Sequence, residues 1–307
     1  MIRVDSLTKK FGDKTAVDGI SFAVAGGEVY GLLGPNGAGK TTTLSMLSGL
    51  LAPDSGRITF DGVDLASDPL GCKRQLGVVP QEVAVYEELS ALENVRFWGS
   101  LYGLSGKALG AAAERVLGQV GLTGRARDAV KTYSGGMKRR LNLALGLVHS
   151  PRAVLLDEVT AGIDPQARAS ILDVVRAVAE SGAGVIYTTH YLEEAERLCD
   201  RIGIVDHGRL LAEGTLAELK AKLGEEEVVT LEGRFEADAA RAALDGLPGV
   251  RVISAEPGRA AFTAGEKGAA GLLGEISNRG LAVDRVAIEP PSLNSLFLRL
   301  TGRALRD

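Results

Sequence analysis

The run GPNGAGKT, residues 34 to 41, leaves the chain few folds to choose from. It has the form G-x-x-x-x-G-K-[ST]. It follows the short apolar stretch EVYGLL and precedes a helix expected over about 40 to 50. Strand, glycine-rich loop and helix in that order predict a loop that grips phosphate. Gly34, Gly37 and Gly39 let the backbone wrap an anion with its N–H groups turned inward. Lys40 is expected to bring charge to β- and γ-phosphates, and the Thr41 hydroxyl can ligate magnesium. Pro35, Asn36, Ala38 and Thr42 complete the candidate nucleotide-binding set on the same loop and first helical turn.

A loop of this kind needs a parallel sheet behind it, and the downstream pattern supplies one. RITFDG (57 to 62), LGVVPQ (76 to 81), AVLL (153 to 156) and GVIYTTH (184 to 190) read as strands. Helical patterns lie between them: residues 85 to 131 are mostly helical, broken at Gly103, Gly106, Gly121 and Gly124. QARASILDVVRAVAE puts Ile171, Val174, Val175 and Val178 on one helix face. Alternating strands and helices imply an α/β domain. The opening stretch differs. IRVDSLTKKFGDKTAVDGISFAV alternates apolar and polar residues around Gly12-Asp13, which predicts antiparallel strands. RIGIVDHGRLLAEG reads as a hairpin turning at His207-Gly208, and Thr215 with Glu218 forms a capping box for a short helix that stops at Gly224.

At Glu225-Glu226-Glu227 the texture changes, and a domain boundary is expected near 224, dividing 1–224 from 225–307. The second part reads β–α–β–β–α–β and closes with the amphipathic SLNSLFLRLTGR. Leu293, Leu296, Phe297 and Leu300 form a stripe that must bury against something, either its own small domain or a second copy. No second active site is expected there, since no P-loop, histidine cluster or acid pair occurs. An accessory role, tethering two copies or adjusting their opening, is the expectation.

Composition narrows the partners. A formal net charge of −4 gives no electrostatic case for nucleic acid. Cys72 and Cys199 are far apart and make no metal-ligand pattern. MIRVDSLTKKFG lacks the apolar core of a signal peptide, and no run approaches the roughly 18 apolar residues that span a bilayer. Any work at a membrane would require a separate membrane-spanning protein.

Four further positions carry chemistry. AVLLDE, 153 to 158, is a buried strand that ends in two acids, at the end where α/β sheets hold ligands. Asp157 is placed to hold a metal's water shell, and Glu158 to orient or deprotonate an attacking water. Gln81 ends a strand, and its amide suits contact with both a metal and a mobile partner. His190 ends another strand at the same sheet edge, within reach of a γ-phosphate. Phe11 offers an aromatic face for a base. In KTYSGGMKRRLNLALGL, Ser134 is a good N-cap, and Met137, Leu141, Leu145 and Val148 recur at helical spacing. Gly135 and Gly136 weaken that first turn but leave N–H groups bare at the positive end of the helix dipole, which suits an anion.

Together, Phe11, GPNGAGKTT, Gln81, YSGGMKRRL, AVLLDE, Gly162-Ile163-Asp164 and His190 resemble the nucleotide-binding subunit of an ATP-binding cassette (ABC) transporter over residues 1 to about 224. The resemblance implies an ABC-type P-loop ATPase with an antiparallel β subdomain and a helical subdomain, to which the element order after 224 adds a small α+β domain. It implies ATP and Mg2+, with Thr41, Gln81 and Asp157 at the metal. By the same resemblance Phe11 stacks on adenine, Gln81 couples the site to a polytopic permease, and Asp164 lies at a dimer seam. Ser134, Gly135 and Gly136 would meet the γ-phosphate of ATP held by a second, head-to-tail copy at the cytoplasmic face of the membrane. Tyr133 with Lys138-Arg139-Arg140, and the tail PPSLNSLFLRLTGR, are similar to the drug and antibiotic exporter branch. Departures are Tyr133 where many members have leucine, Val159 for the usual proline, and Asn294-Ser295 where acids are common. A ribosome- or DNA-acting ABC ATPase is the alternative. The single cassette, and a stretch between Lys40 and Ser134 too short for a long coiled coil, weigh against it. A kinase or GTPase would leave Ser-Gly-Gly without a purpose.

Overall fold

The computed structural model describes residues 1–222, 227–264, 268–289 and 292–302, and the chain divides into two compact units, 1–211 and 212–307. The boundary expected near 224, and the helix stop at Gly224, lie outside the described residues.

In the first unit, β1 (Ile2–Phe11) and β2 (Lys14–Val24) pair antiparallel across the turn at Gly12-Asp13. The strand β3 (Val29–Leu33) then leads through the glycine loop into α1 (Lys40–Leu47). Next come β4 (Ser55–Phe60), β5 (Val63–Asp64), α2 (Pro69–Arg74) and β6 (Leu76–Val79). A helical stretch holds α3 (Ala91–Leu101), α4 (Gly106–Gln119) and, after two short 3₁₀ turns, α5 (Gly135–Leu147). The chain returns to the sheet with β7 (Ala153–Asp157), α6 (Pro165–Glu180), β8 (Gly184–Thr189), α7 (Leu192–Leu198), β9 (Arg201–Asp206) and β10 (Arg209–Gly214). Two sheets result: a four-stranded one in the order β2-β1-β4-β5, and a six-stranded one in the order β10-β9-β3-β8-β7-β6.

Period-2 burial explains why the six-stranded sheet sits centrally in this unit. Val154, Leu156, Val185 and Tyr187 face one core with the buried side chains of α3 to α6. Ala153, Leu155, Ile186 and Leu32 face the other, with α1 and the antiparallel sheet. Strands buried on both faces read as the continuous apolar runs seen in the sequence. The predicted face of α6, Ile171, Val174, Val175 and Val178, is buried in the first core.

The second unit contains α8 (Leu216–Ala221), capped by the Thr215–Glu218 box, then β11 (Glu227–Gly233), α9 (Ala237–Leu244), β12 (Val250–Glu256), β13 (Arg259–Ala264), α10 (Gly268–Asn278), β14 (Val283–Glu289) and α11 (Leu293–Thr301). The order β12-β13-β11-β14, antiparallel throughout, is that of a split β–α–β fold. One face carries Val229, Leu231 and Phe262 against Ala243 and Leu244 of α9 and Leu272 and Ile276 of α10. The closing helix resolves the question its stripe posed: Leu293, Leu296 and Phe297 are buried within this chain, whereas Leu300 is exposed. α11 packs against α8, and its Leu298 meets Val228 and Ala261 on the opposite sheet face. That face is therefore partly covered. The helix α8, grouped by sequence with residues 1–224, packs with α11 in the second unit.

Among the described residues no helix is long and apolar enough to cross a membrane.

A titratable group sits at the end of α5. His149 stacks on Tyr102 with ring centroids 3.5 Å apart, and its Nε2 lies 3.2 Å from the Leu76 carbonyl. Burial pushes its pKa from 6.5 down to about 4, opposed by the bond to Leu76. The folded protein thus refuses a proton that the unfolded chain accepts. The stability this contributes is complete above pH 6.5 and is lost progressively as pH falls towards about 4. Melting temperatures across that range are expected to fall more steeply for the native chain than for His149→Gln.

Candidate nucleotide site

Parallel register assembles the site. Val79 pairs with Leu156, Asp157 with Thr188, and Leu33 with Thr189. Four strands therefore end close to level, and the residues just past each end meet on one edge. Those residues are Gly34 after β3, Glu158 after β7, His190 after β8 and Gln81 shortly after β6.

A cleft of about 480 Å³ opens there. It is lined by Phe11, Lys14, Ala16, Asn36, Gly37, Gly39, Lys40, Thr41, Thr42, Gln81 and Glu158. Gly39 is required by both geometry and space. Its φ is +103°, and a Cβ would stand 2.4 Å from the Ala16 carbonyl oxygen. Ala38 is buried, while Gly34 and Pro35 supply carbonyls to Lys40. Phe11 is 52% exposed at the end of β1, available for stacking. A second cavity, around Met46, Leu51 and Ile58, contains none of the sequence-predicted residues.

The charges are buried and shared. Lys40, only 4% exposed, donates from Nζ to the Gly34 carbonyl at 2.7 Å and the Pro35 carbonyl at 3.1 Å. It also pairs with Glu158 Oε1 at 3.1 Å. The other carboxylate oxygen of Glu158 lies 3.1 Å from His190 Nδ1. One carboxylate thus stands between the loop lysine and the edge histidine. Its backbone is strained, with φ +43°, a left-handed conformation unusual for a residue with a side chain. Thr188 braces the turn: its hydroxyl accepts from Glu158 N at 3.0 Å and donates to Asp157 Oδ1 at 2.6 Å. Asp157 and His190 do not line the cleft directly; His190 contacts the lining residue Glu158, and the Asp157 carboxylate accepts from Thr188.

The chain has relatives among known proteins. The chain is 45% identical to the linearmycin resistance ATP-binding protein LnrL of Bacillus subtilis (strain 168), covering 100% of both chains. It belongs to the ABC transporter family. The family described as ABC transporter matches residues 17–161, and a C-terminal domain described as that of DrrA1-3-like ATP-binding proteins matches residues 214–301. The daunorubicin/doxorubicin resistance ATP-binding protein DrrA of Streptomyces peucetius is 39% identical, covering 100% of this chain and 94% of its own. A solved structure described as the ATP binding subunit of an ABC transporter superposes with a TM-score of 0.67 at 32% identity, covering 73% of this chain and 93% of that one. The chain is thus an ATP-binding subunit whose ATP hydrolysis powers transport. The ribosome- or DNA-acting alternative finds no support.

Two of the departures of this ABC subunit, Tyr133 and Val159, are interior residues. The Tyr133 ring is buried, and its hydroxyl donates to the Arg125 carbonyl at 2.6 Å. Val159 is buried in the core beside β7. Asp164 caps α6, accepting from Gln166 N and Ala167 N at 3.1 and 2.9 Å. Sequence reasoning missed three participants. Thr188 is one. A second is Arg139, whose guanidinium donates to the backbone carbonyls of both Gln81 and Ala161, joining α5 to the two loops that flank the site. The third is Glu194, buried where Thr160 and Thr189 donate to it. No spacing rule marks any of them, because each acts through tertiary contacts.

Ser134 caps α5 by accepting from Met137 N at 3.3 Å, but neither it nor Gly135 nor Gly136 lines the cleft of its own chain. The two glycines differ. A Cβ on Gly136 would stand 2.9 Å from Ala167 Cβ, so internal packing demands glycine there. A Cβ on Gly135 would meet nothing within 4 Å, so the fold itself does not. Thermal melts are expected to separate them. Gly136→Ala should lose on the order of 1–3 kcal/mol by overpacking. Gly135→Ala should hold or gain up to about 1 kcal/mol from helix propensity.

Proposed function

We propose that two copies of this chain, each bound to a polytopic permease at the cytoplasmic face of a membrane, clamp two ATP molecules head to tail and drive a cargo outward. Outward movement follows the relatives, which are named for linearmycin and daunorubicin/doxorubicin resistance. The match of residues 214–301 to a DrrA1-3-like C-terminal domain supports the same branch. The in-trans clamp is supported by Ser134 and Gly135, exposed at a helix N-terminus and absent from the cleft of their own chain. A methyl-free Gly135 that the fold does not need suits close approach of a ligand from outside. The C-terminal domain serves as an accessory to this assembly.

The Glu158 carboxylate, set between Lys40 and His190 at the cleft, carries the catalytic reading. A γ-phosphate entering the loop replaces Glu158 as the counter-charge of Lys40. The freed carboxylate takes the proton of an attacking water. His190, held through Nδ1, keeps Nε2 for the γ-phosphate. Phe11 stacks on the adenine, Asn36 to Thr42 wrap the phosphates, and Gln81 relays the state of the site to the permease.

The donors also suit Mg2+. Thr41, Gln81 and Asp157 offer hydroxyl, amide and carboxylate oxygens, the hard ligands this ion prefers. Among the described residues no three His, Cys, Asp or Glu side chains form a cage. Such a set fits an ion completed by phosphate oxygens and water. Bound there, Mg2+ neutralises charge on the β- and γ-phosphates.

Three substitutions test the assignment. Lys40→Ala should lose most Mg-ATP affinity in a nucleotide titration. Glu158→Gln should keep that affinity while turnover falls roughly a hundredfold or more, and an unchanged rate would refute the base role. A Ser134→Ala chain mixed with a Lys40→Ala chain should form more ATP-dependent dimer, by sedimentation, than either alone. No gain on mixing would argue against the head-to-tail clamp.

A further inference from the structure

Behind the Glu158–His190 pair lies a second carboxylate that the proposed chemistry does not use. Glu194, in the first turn of α7, is 2% exposed. Its Oε1 accepts from the Thr160 hydroxyl at 2.6 Å. Its Oε2 accepts from the Tyr187 hydroxyl at 2.8 Å and the Thr189 hydroxyl at 2.6 Å. Arg168 of α6 stands at 3.4 Å from Oε1, with its guanidinium over the Tyr191 ring. A buried carboxylate is costly to keep, and three hydroxyl donors plus a cation offset that cost.

The donors are placed informatively. Thr160 lies two residues after Glu158, and Thr189 directly precedes His190. Thr189 is fixed further, since its hydroxyl also accepts from Tyr191 N at 3.0 Å, so the backbone is pinned on both sides of His190. Glu158 sits in a strained left-handed turn, held from the strand side by Thr188. On its far side, Thr160 ties the chain to Glu194. Without that tie the strain at Glu158 could relax, and its carboxylate would drift from His190 and Lys40. We infer that Glu194 is a positioning residue for hydrolysis, a buried hub that holds the Glu158 turn and the His190 turn at a fixed separation. Through Arg168 the same hub reaches α6, whose N-cap is Asp164, so movement of the 158–164 loop is transmitted to His190. A carboxylate suits this role better than an amide. It accepts from three hydroxyls at once, whereas glutamine would turn an NH2 donor towards one set of them.

This inference rests on Glu158 as the general base, and its test separates the two. Steady-state ATPase and Mg-ATP titration would be run on the full chain carrying Glu194→Gln, and on the milder Thr160→Val. Each would also be made in the Glu158→Gln background. For Glu194→Gln, kcat should fall roughly ten- to a hundredfold, the scale of a displaced reacting group, while KM and Kd for ATP stay within about twofold. Thr160→Val should show a smaller loss of the same kind. In the Glu158→Gln background neither change should lower the rate further. Native kcat in both variants would overturn the inference. So would a loss that appears equally in ATP affinity, or one that multiplies in the Glu158→Gln background, since either marks general loosening. Native turnover by Glu158→Gln alone would instead overturn the base assignment.

Discussion

The parallel register of β3, β8, β7 and β6 is the constraint on which this site depends. Pairing Leu33 with Thr189, Asp157 with Thr188 and Val79 with Leu156 makes the strands end together. Slipping one strand by a single residue would turn its side chains to the opposite face and expose its buried set. The register is therefore secured by two cores, one on each face, and not by the site itself. Lys40, Glu158 and His190 meet because hydrophobic burial holds the ends of three separate strands close to level.

What the cores secure is an electrostatically costly arrangement. Lys40 and Glu158 are almost wholly removed from water, and their attraction alone does not recover the lost hydration. The Gly34 and Pro35 carbonyls, His190 and the Thr188 brace supply the remaining bonds. Glu194 repeats the pattern one layer deeper, with three hydroxyls and Arg168 around one carboxylate. A chain selected for stability alone has little reason to bury these groups. Their placement beside a strained Glu158 backbone fits a site that spends stability on geometry.

The small second unit shows a different balance. Its β–α–β–β–α–β order leaves two helices for one sheet face, and a third, α11, returns to cover part of the other. Three of the four stripe residues find burial inside the chain, and Leu300 stays exposed. Leu298, outside the stripe, makes the contact with the sheet, because α11 also packs on α8 and divides its apolar residues between two neighbours.

Local signals carried most of the architecture. Glycine spacing with Lys40 and Thr41, the buried strand ending in Asp157-Glu158, the caps at Ser134 and Thr215, and the β–α–β–β–α–β order of the C-terminal part are properties of short segments, and each was legible in the amino-acid sequence, whereas β5 and α2 are too short to leave a periodic pattern. The candidate residues were legible too, as residue types in motifs. Their mutual geometry was not. That Glu158 bridges Lys40 and His190 depends on strand register between segments far apart in the chain. That Gly136 answers an internal contact with Ala167, while Gly135 faces open space, depends on how α5 meets α6. The contacts of Thr188, Arg139 and Glu194 gave no sequence signal, because a hydroxyl, a guanidinium and a carboxylate have no spacing rule for contacts made across helices and sheets. Sequence determines segments whose free energy is local, whereas the positions of these buried polar groups are decided only when tertiary packing chooses which of them share the dry space behind the sheet edge.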